Sequence, residues 1–176
     1  SRQDFEKEQK KHQELSRTAA AGRFKSGLAD NSEATTKLHT AAHLLIASLR
    51  QVLKDKNINQ KGSNINPERL RLDFTSQRKL TEEEIKKIEN LVNEKIKESL
   101  PVIKEEMSLE KARKIGASGI FEDKYGEKVS VYSVGDFSRE ICAGPHVKNT
   151  SELGKFKIQK EESSSSGVRR IKAILE

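Results

Sequence analysis

Residues 36–74 read TKLHTAAHLLIASLRQVLKDKNINQKGSNINPERLRLDF, and a change of period inside them decides the fold class. Leu38, Ala42, Leu45, Leu49 and Val52 recur at helical spacing, which predicts a helix over 36–54 with one apolar face. Residues 55–68 are polar and turn-rich, with Lys61-Gly62-Ser63 and Asn66-Pro67. Leu70, Leu72 and Phe74 then alternate with Arg69, Arg71 and Asp73, the period of a strand with one buried face.

Downstream, Thr81-Glu82-Glu83-Glu84 fits a capping box, and Ile85, Ile88, Leu91, Val92 and Ile96 continue a second helix that stops before Pro101. A short strand is predicted at Val102 and Ile103. Ser108 then caps a short helix ended by Gly116 and Gly119. The last third reads as sheet, from Val129 and Val131, Phe156 and Ile158, and Val168, Ile171, Ala173 and Ile174. The four serines at 163–166 are predicted to form a tight loop between strands. Helices and strands mix without regular alternation, so the class is α+β, an antiparallel sheet packed with helices. One sheet is expected to carry Phe74, Val131, Phe156 and Ile171. Upstream, residues 1–22 are charged and rich in helix formers, which predicts a solvated leader helix followed by a loop over 23–35. The chain thus divides into a leader, 1–35, and a domain, 36–176.

The composition narrows the function classes. Apolar residues make up 33% and charged residues 35%, so the core is modest and the surface strongly charged. With no Trp and only 2 Tyr and 6 Phe, a single-strand binder built on aromatic stacking is disfavoured. The net charge of +7 suits a polyanionic partner such as nucleic acid, but equally a basic surface with no partner. One cysteine forms no internal disulfide, no apolar run approaches the roughly 20 residues that span a bilayer, and no hydrophobic signal region opens the chain. These features fit a reducing cytoplasm with no membrane. There Cys142 is free to be a ligand, a nucleophile or a buried filler.

His39 and His43 lie four apart, which puts both imidazoles on one helix face, as a metal chelate requires; two polar surface residues would show the same spacing. Cys142 and His146 form a second pair around Ala143-Gly144-Pro145, whose Gly and Pro favour a turn. Together the pairs supply one sulfur and three nitrogens, a donor set suited to zinc. Four protein ligands usually mark a structural site, so the count alone does not make an enzyme. His12 lies in the leader and needs no role.

HTAAHLL at 39–45, QKGSNI at 60–65, RLRLDF at 69–74, YSVGDFSREICAGPHV at 132–147 and SSSGVRRIKAIL at 164–175 resemble successive signatures of alanyl-tRNA synthetase editing domains, in order and at family-like spacing. The freestanding AlaX trans-editing proteins and the editing domain of threonyl-tRNA synthetase share the ligand pairs and the fold. The resemblance implies zinc held by His39, His43, Cys142 and His146, and hydrolysis of the ester that joins serine or glycine wrongly to tRNA(Ala). It implies a pocket role for Gln60 and an acidic position near the site for Glu140, here taken as the catalytic pair, with orientation ranked above base chemistry. It also implies tRNA(Ala) as partner and, for a full-length synthetase, ATP binding. Phosphate contacts are expected from Lys61, Arg69, Arg71, Arg169 and Arg170, with Lys155, Lys157 and Lys172 beside them. The chain departs from the family in Ala143-Gly144-Pro145, where alanyl enzymes more often have Gly-Gly-Thr; the Gly-Pro-His ending is similar to the threonyl enzymes. The leader resembles the helical end of a preceding tRNA-recognition region. It runs almost directly into the first His pair, which implies a compact synthetase without the usual intervening barrel. The family's C-terminal oligomerisation domain is expected to lie outside this chain. The alternatives are a non-catalytic tRNA-binding module with structural zinc and a threonyl-type editor.

Overall fold

The structure, a computed structural model, describes residues 4, 6–11, 27–119 and 127–176. Helix α1 spans Glu33–Val52, and Ser32 caps it by accepting the Thr35 backbone N–H. Leu38, Ala41, Leu44, Leu45, Ile46 and Leu49 are all buried, so α1 is sunk in the protein rather than laid on its surface. The apolar face predicted from five positions is therefore wider than the spacing indicated. Helix α2, Glu82–Lys97, starts in the expected capping box, in which the Thr81 hydroxyl accepts the Glu84 N–H and the Glu84 carboxylate accepts the Thr81 N–H. Its Ile88, Val92 and Ile96 face the core.

Strands β1 (Gln60–Ile65), β2 (Leu70–Thr75), β6 (Phe156–Ser165) and β7 (Val168–Leu175) make an antiparallel sheet in the order β1-β2-β7-β6. Leu70 sits opposite Ala173 and Leu72 opposite Ile171, which puts these side chains and Phe74 on the face that α1 and α2 cover. Strands β3 (Val102–Ser108), β4 (Lys128–Val134) and β5 (Ser138–Ile141) form a second antiparallel sheet. Helix α3, Leu109–Lys114, is capped by Ser108 and packs on it around Met107, Ala112, Val129 and Val131.

The α+β class stands, but the single sheet expected for Phe74, Val131, Phe156 and Ile171 is two. Val131 belongs to the three-stranded sheet, because β4 bonds to β3 and β5 and to no strand of the other sheet. β1 occupies the stretch read as turns, β3 runs to Ser108 rather than ending at Ile103, and β6 takes in Ser163, Ser164 and Ser165, leaving the turn at Ser166-Gly167.

Asp4 and residues 6–11 of the leader are helical, and their side chains are exposed. The rest of the leader helix over 1–22, with His12 and Gly22, and the start of the loop over 23–35 lie outside the described residues. The later part of that loop docks on the domain. Ile65 N–H donates to the Gly27 carbonyl, Ala29 N–H donates to the Ile65 carbonyl, and Leu28 is buried. A Cβ at Gly27, where φ is +64°, would lie 2.4 Å from Ser63 Oγ, so this approach requires glycine. Among the described residues no helix is long and apolar enough to cross a membrane.

Candidate metal centre

Helix α1 supplies His39 and His43 from its buried first half, while β5 ends one residue before Cys142 and the following loop carries His146. That loop is fastened at several points. Val102 N–H donates to Lys148 O, Thr150 N–H to Leu100 O, and the Thr150 hydroxyl to Lys95 O. Val147 is buried in the main core. The structure brings both sequence pairs to one point: one donor atom from each of His39, His43, Cys142 and His146 lies within 4.8 Å of the others. Cys142 Sγ is 3.4 Å from His39 Nε2 and 3.3 Å from His146 Nε2.

The residues around this cluster aim the imidazoles. His39 Nδ1 lies 2.9 Å from the Pro145 carbonyl, an acceptor only, so Nδ1 holds the proton and Nε2 presents its lone pair to the cluster. His146 Nδ1 lies 2.9 Å from Thr40 Oγ1. The Thr40 hydroxyl donates to Thr36 O and accepts the Val147 N–H, so it completes its bonds by accepting from His146 Nδ1. His146 is thereby also fixed with Nε2 free. The donor set and its tautomers fit a soft or borderline divalent cation.

Burial sets the proton affinities of the metal-free cluster. It pushes His39 down to about 4, against a smaller upward pull from its Pro145 bond. It also lowers His43 and His146, each helped by neighbouring imidazoles. Burial pushes the Cys142 thiol up to about 11, opposed by the Gly144 N–H that bonds Sγ. The imidazoles are thus already neutral, and a metal need displace only the thiol proton. One expected outcome follows for the metal-free chain. Between about pH 6.5 and about 4 the unfolded chain takes up a proton that folded His39 does not, so stability rises with pH over that window and is lost as pH falls through it. His39 alone contributes on the order of 3 kcal/mol to this loss. Urea titrations of chelated protein at pH 7 and pH 4.5 check it; equal stabilities would contradict it.

Tyr132, Thr40 and Arg50 were not singled out from sequence. The Tyr132 ring meets His146 edge-on at 4.4 Å between centroids, and burial raises its hydroxyl pKa, with Cys142 adding to the effect. Gly144 passes beneath it with φ +75°, and a Cβ there would lie 2.4 Å from Tyr132 Oη. The available signal for Thr40 was its place inside the His39-to-His43 segment, one residue after a ligand. For Thr40→Val the expected result is a 10- to 100-fold loss of metal affinity, on the order found when a ligand's supporting partner is removed. Competition with a chelator measures it; unchanged affinity would show that Thr40 does not orient His146.

Glu140 lies on β5, two residues before Cys142, which follows the end of the strand. It is buried against Arg50 of α1, whose guanidinium donates to Oε1 at 2.8 Å. Burial raises its pKa, with Arg50 pulling the other way. Arg50 also donates to the Ile58 carbonyl. Gln60 opens β1 opposite Phe74, half-buried, and among the described residues no hydrogen bond joins it to the cluster.

Most of the expected phosphate-contacting set is occupied within the sheet. Arg170 bonds Asp73 through two nitrogens at 2.7 and 3.0 Å, and Arg169 bonds the buried Glu161. Arg69 donates to the Asn64 backbone and side chain, and Lys172 pairs with Glu162. Lys157 stands 3.9 Å from Glu176. Arg71 is half-buried with its Nε unpartnered, and burial and Arg170 lower its pKa. Lys61 and Lys155 are exposed.

Residues 129–172 match the family described as the threonyl and alanyl tRNA synthetase second additional domain. The chain is 57% identical over 176 residues, all of its length, to the alanine--tRNA ligase of Treponema denticola, of which it covers 29%. It is 57% identical over 171 residues to that of Borreliella burgdorferi, covering 97% of this chain and 29% of the relative. With the alanine--tRNA ligase of Petrotoga mobilis it shares 52% identity over 142 residues, 81% of this chain and 16% of the relative. The chain thus spans less than a third of the length of these relatives.

Proposed function

We propose that this chain, which belongs to the family of the threonyl and alanyl tRNA synthetase second additional domain, is an editing hydrolase that cleaves Ser-tRNA(Ala) and Gly-tRNA(Ala) in the cytoplasm as part of an alanine--tRNA ligase. The observation that carries the reading is the convergence of His39, His43, Cys142 and His146 with two imidazoles locked so that Nε2 faces the cluster. The metal is zinc, on the strength of three nitrogens and one thiolate. Bound there, zinc supplies Lewis acidity and a fixed point for the substrate.

The remaining work falls to the protein. The Pro145 carbonyl and the Thr40 hydroxyl hold two ligands in one tautomer. Tyr132 walls the centre on the side of His146. Arg50 holds Glu140 beside Cys142, which suits Glu140 to ordering the site more than to abstracting a proton. Gln60 is assigned to the amino-acid pocket. Selectivity against alanine follows if pocket donors and acceptors pair with the serine hydroxyl, because alanine would leave them unpaired.

The test is deacylation of Ser-tRNA(Ala) and Ala-tRNA(Ala) beside metal analysis. Hydrolysis of the seryl ester and survival of the alanyl ester are expected. Gln60→Ala should keep its metal and lose rate or discrimination, on the order of tenfold, as for a lost pocket hydrogen bond. A second reading rests on the four protein ligands, which can close a zinc site. A chain that binds zinc and tRNA but hydrolyses neither ester would establish that reading. Cleavage of Ser-tRNA(Thr) in preference to Ser-tRNA(Ala) would instead make it a threonyl-type editor.

A further inference from the structure

A groove of about 560 Å³ lies between the C-terminal half of α1, the end of α3 and the β4–β5 turn. Its walls carry Arg50, Lys54, Lys56 and Arg139 against a single acid, Asp136. Arg50 is committed to Glu140, and Arg139 stands 3.6 Å from Asp136 in an exposed and therefore weak pair. Lys54 and Lys56 are exposed and, among the described residues, have no ion-pair partner. Arg169 and Arg170, by contrast, are held by Glu161 and Asp73. The unspent positive charge of this groove is on a concave surface, where it acts together on a chain of phosphates.

Two elements that carry or lead into the ligands, α1 and β5, also line the groove. On α1, Ala47 lies one turn beyond the ligand His43 and lines the groove, followed by Arg50 and Gln51. On β5, Glu140 and Ser138 alternate onto one face, Cys142 follows one residue past the strand, and Ser138 lines the groove. A rise of about 1.5 Å per helical residue puts Gln51 about 12 Å from His43. A rise of about 3.3 Å per strand residue puts Ser138 about 13 Å from Cys142. The Arg50–Glu140 pair joins these two elements, and Arg50 itself lines the groove.

We propose that this groove binds the phosphodiester backbone of the RNA strand whose acylated end reaches the metal cluster. Lys54 and Lys56 contact phosphates a short way upstream of the terminal nucleotide. The contacts are to backbone and carry no sequence preference. The assignment rests on the editing reading above for its partner, and its test separates the two.

The experiment measures binding of uncharged tRNA(Ala) to the chain as a function of salt. Each phosphate contact to a single strand contributes about 0.7 to the slope of log affinity against log salt. Lys54→Ala with Lys56→Ala should lower that slope by about 1.4 and weaken binding about tenfold at moderate salt. Lys86→Ala with Lys97→Ala removes the same charge from the exposed surface of α2 and should leave the slope within error. On tRNA trimmed of its single-stranded end, the difference between Lys54→Ala/Lys56→Ala and the unsubstituted chain should vanish. Equal losses from the two lysine pairs would overturn the groove in favour of diffuse charge. A difference that persists on trimmed tRNA would place those lysines on another part of the RNA. If the unsubstituted chain binds no tRNA even at low salt, the editing reading fails and the groove with it. If it binds and Lys54→Ala/Lys56→Ala changes nothing, the groove alone fails.

Discussion

Replacing Cys142 by alanine is expected to lower zinc affinity by more than about 100-fold, the upper end of what losing a ligand's supporting partner costs, and to reduce Ser-tRNA(Ala) deacylation at least as far. The thiol is the only sulfur donor of the cluster, and its Sγ lies against both His39 and His146. Its loss leaves three imidazoles and an open position, a set that still takes zinc but in altered geometry. The fold should survive, because Cys142 is only partly buried and lies outside the main core cluster. Metal content, deacylation and urea unfolding should therefore separate, with large losses in the first two and a small change in the third. Correctly charged Ala-tRNA(Ala) should persist with either protein. Full deacylation by a metal-free Cys142→Ala protein would remove the metal from the reaction altogether.

The sequence made the ligand pairs legible because their spacings carry geometry. A repeat of four on a helix and a turn built on Gly144-Pro145 each bring two donors together. That the pairs meet needed the fold, since α1 and β5 are about a hundred residues apart along the chain. Strands were legible where one face is buried, as in β2, whose Leu70, Leu72 and Phe74 alternate with polar residues. They were missed or cut short at two sheet edges, β1 and β3. β1 buries only Ile65, and β3 carries Lys104, Glu105 and Glu106 exposed, because an edge strand needs no apolar partner on its open side. The division into two sheets follows from hydrogen bonding between strands, which alternation within a strand does not encode. The basic residues were legible as charge but not as free charge. Arg169 and Arg170 look available until Glu161 and Asp73 are seen across the sheet, while Lys54 and Lys56 sit where the predicted helix gives way to a turn-rich stretch that shows no sign of a groove.

The ion pair beneath the cluster offers a test of what Glu140 does. For Arg50→Met we expect a loss of about 3–5 kcal/mol at neutral pH, the usual cost of leaving one member of a buried pair uncompensated. The side chains of Arg50 and Glu140 are only 18% and 12% exposed, and burial already raises the carboxyl pKa with Arg50 opposing it. Without Arg50 the carboxyl goes higher still, and folded Glu140 keeps its proton while the unfolded chain releases it above about pH 4.3. The deficit of Arg50→Met should therefore shrink as pH falls toward 4 and grow as pH rises. Adding Glu140→Gln to Arg50→Met removes the stranded charge and should recover most of the stability, a coupling that two independent sites would not show. Glu140→Gln alone keeps an acceptor for Arg50. If the carboxylate orders the site, deacylation should fall by no more than about tenfold and keep its pH dependence. If it is the general base, the single substitution should cost about 100-fold or more and erase the acidic limb of the pH–rate profile. We expect the smaller effect, because Arg50 already engages the carboxylate at 2.8 Å. Loss of the acidic limb in Glu140→Gln would reverse that assignment.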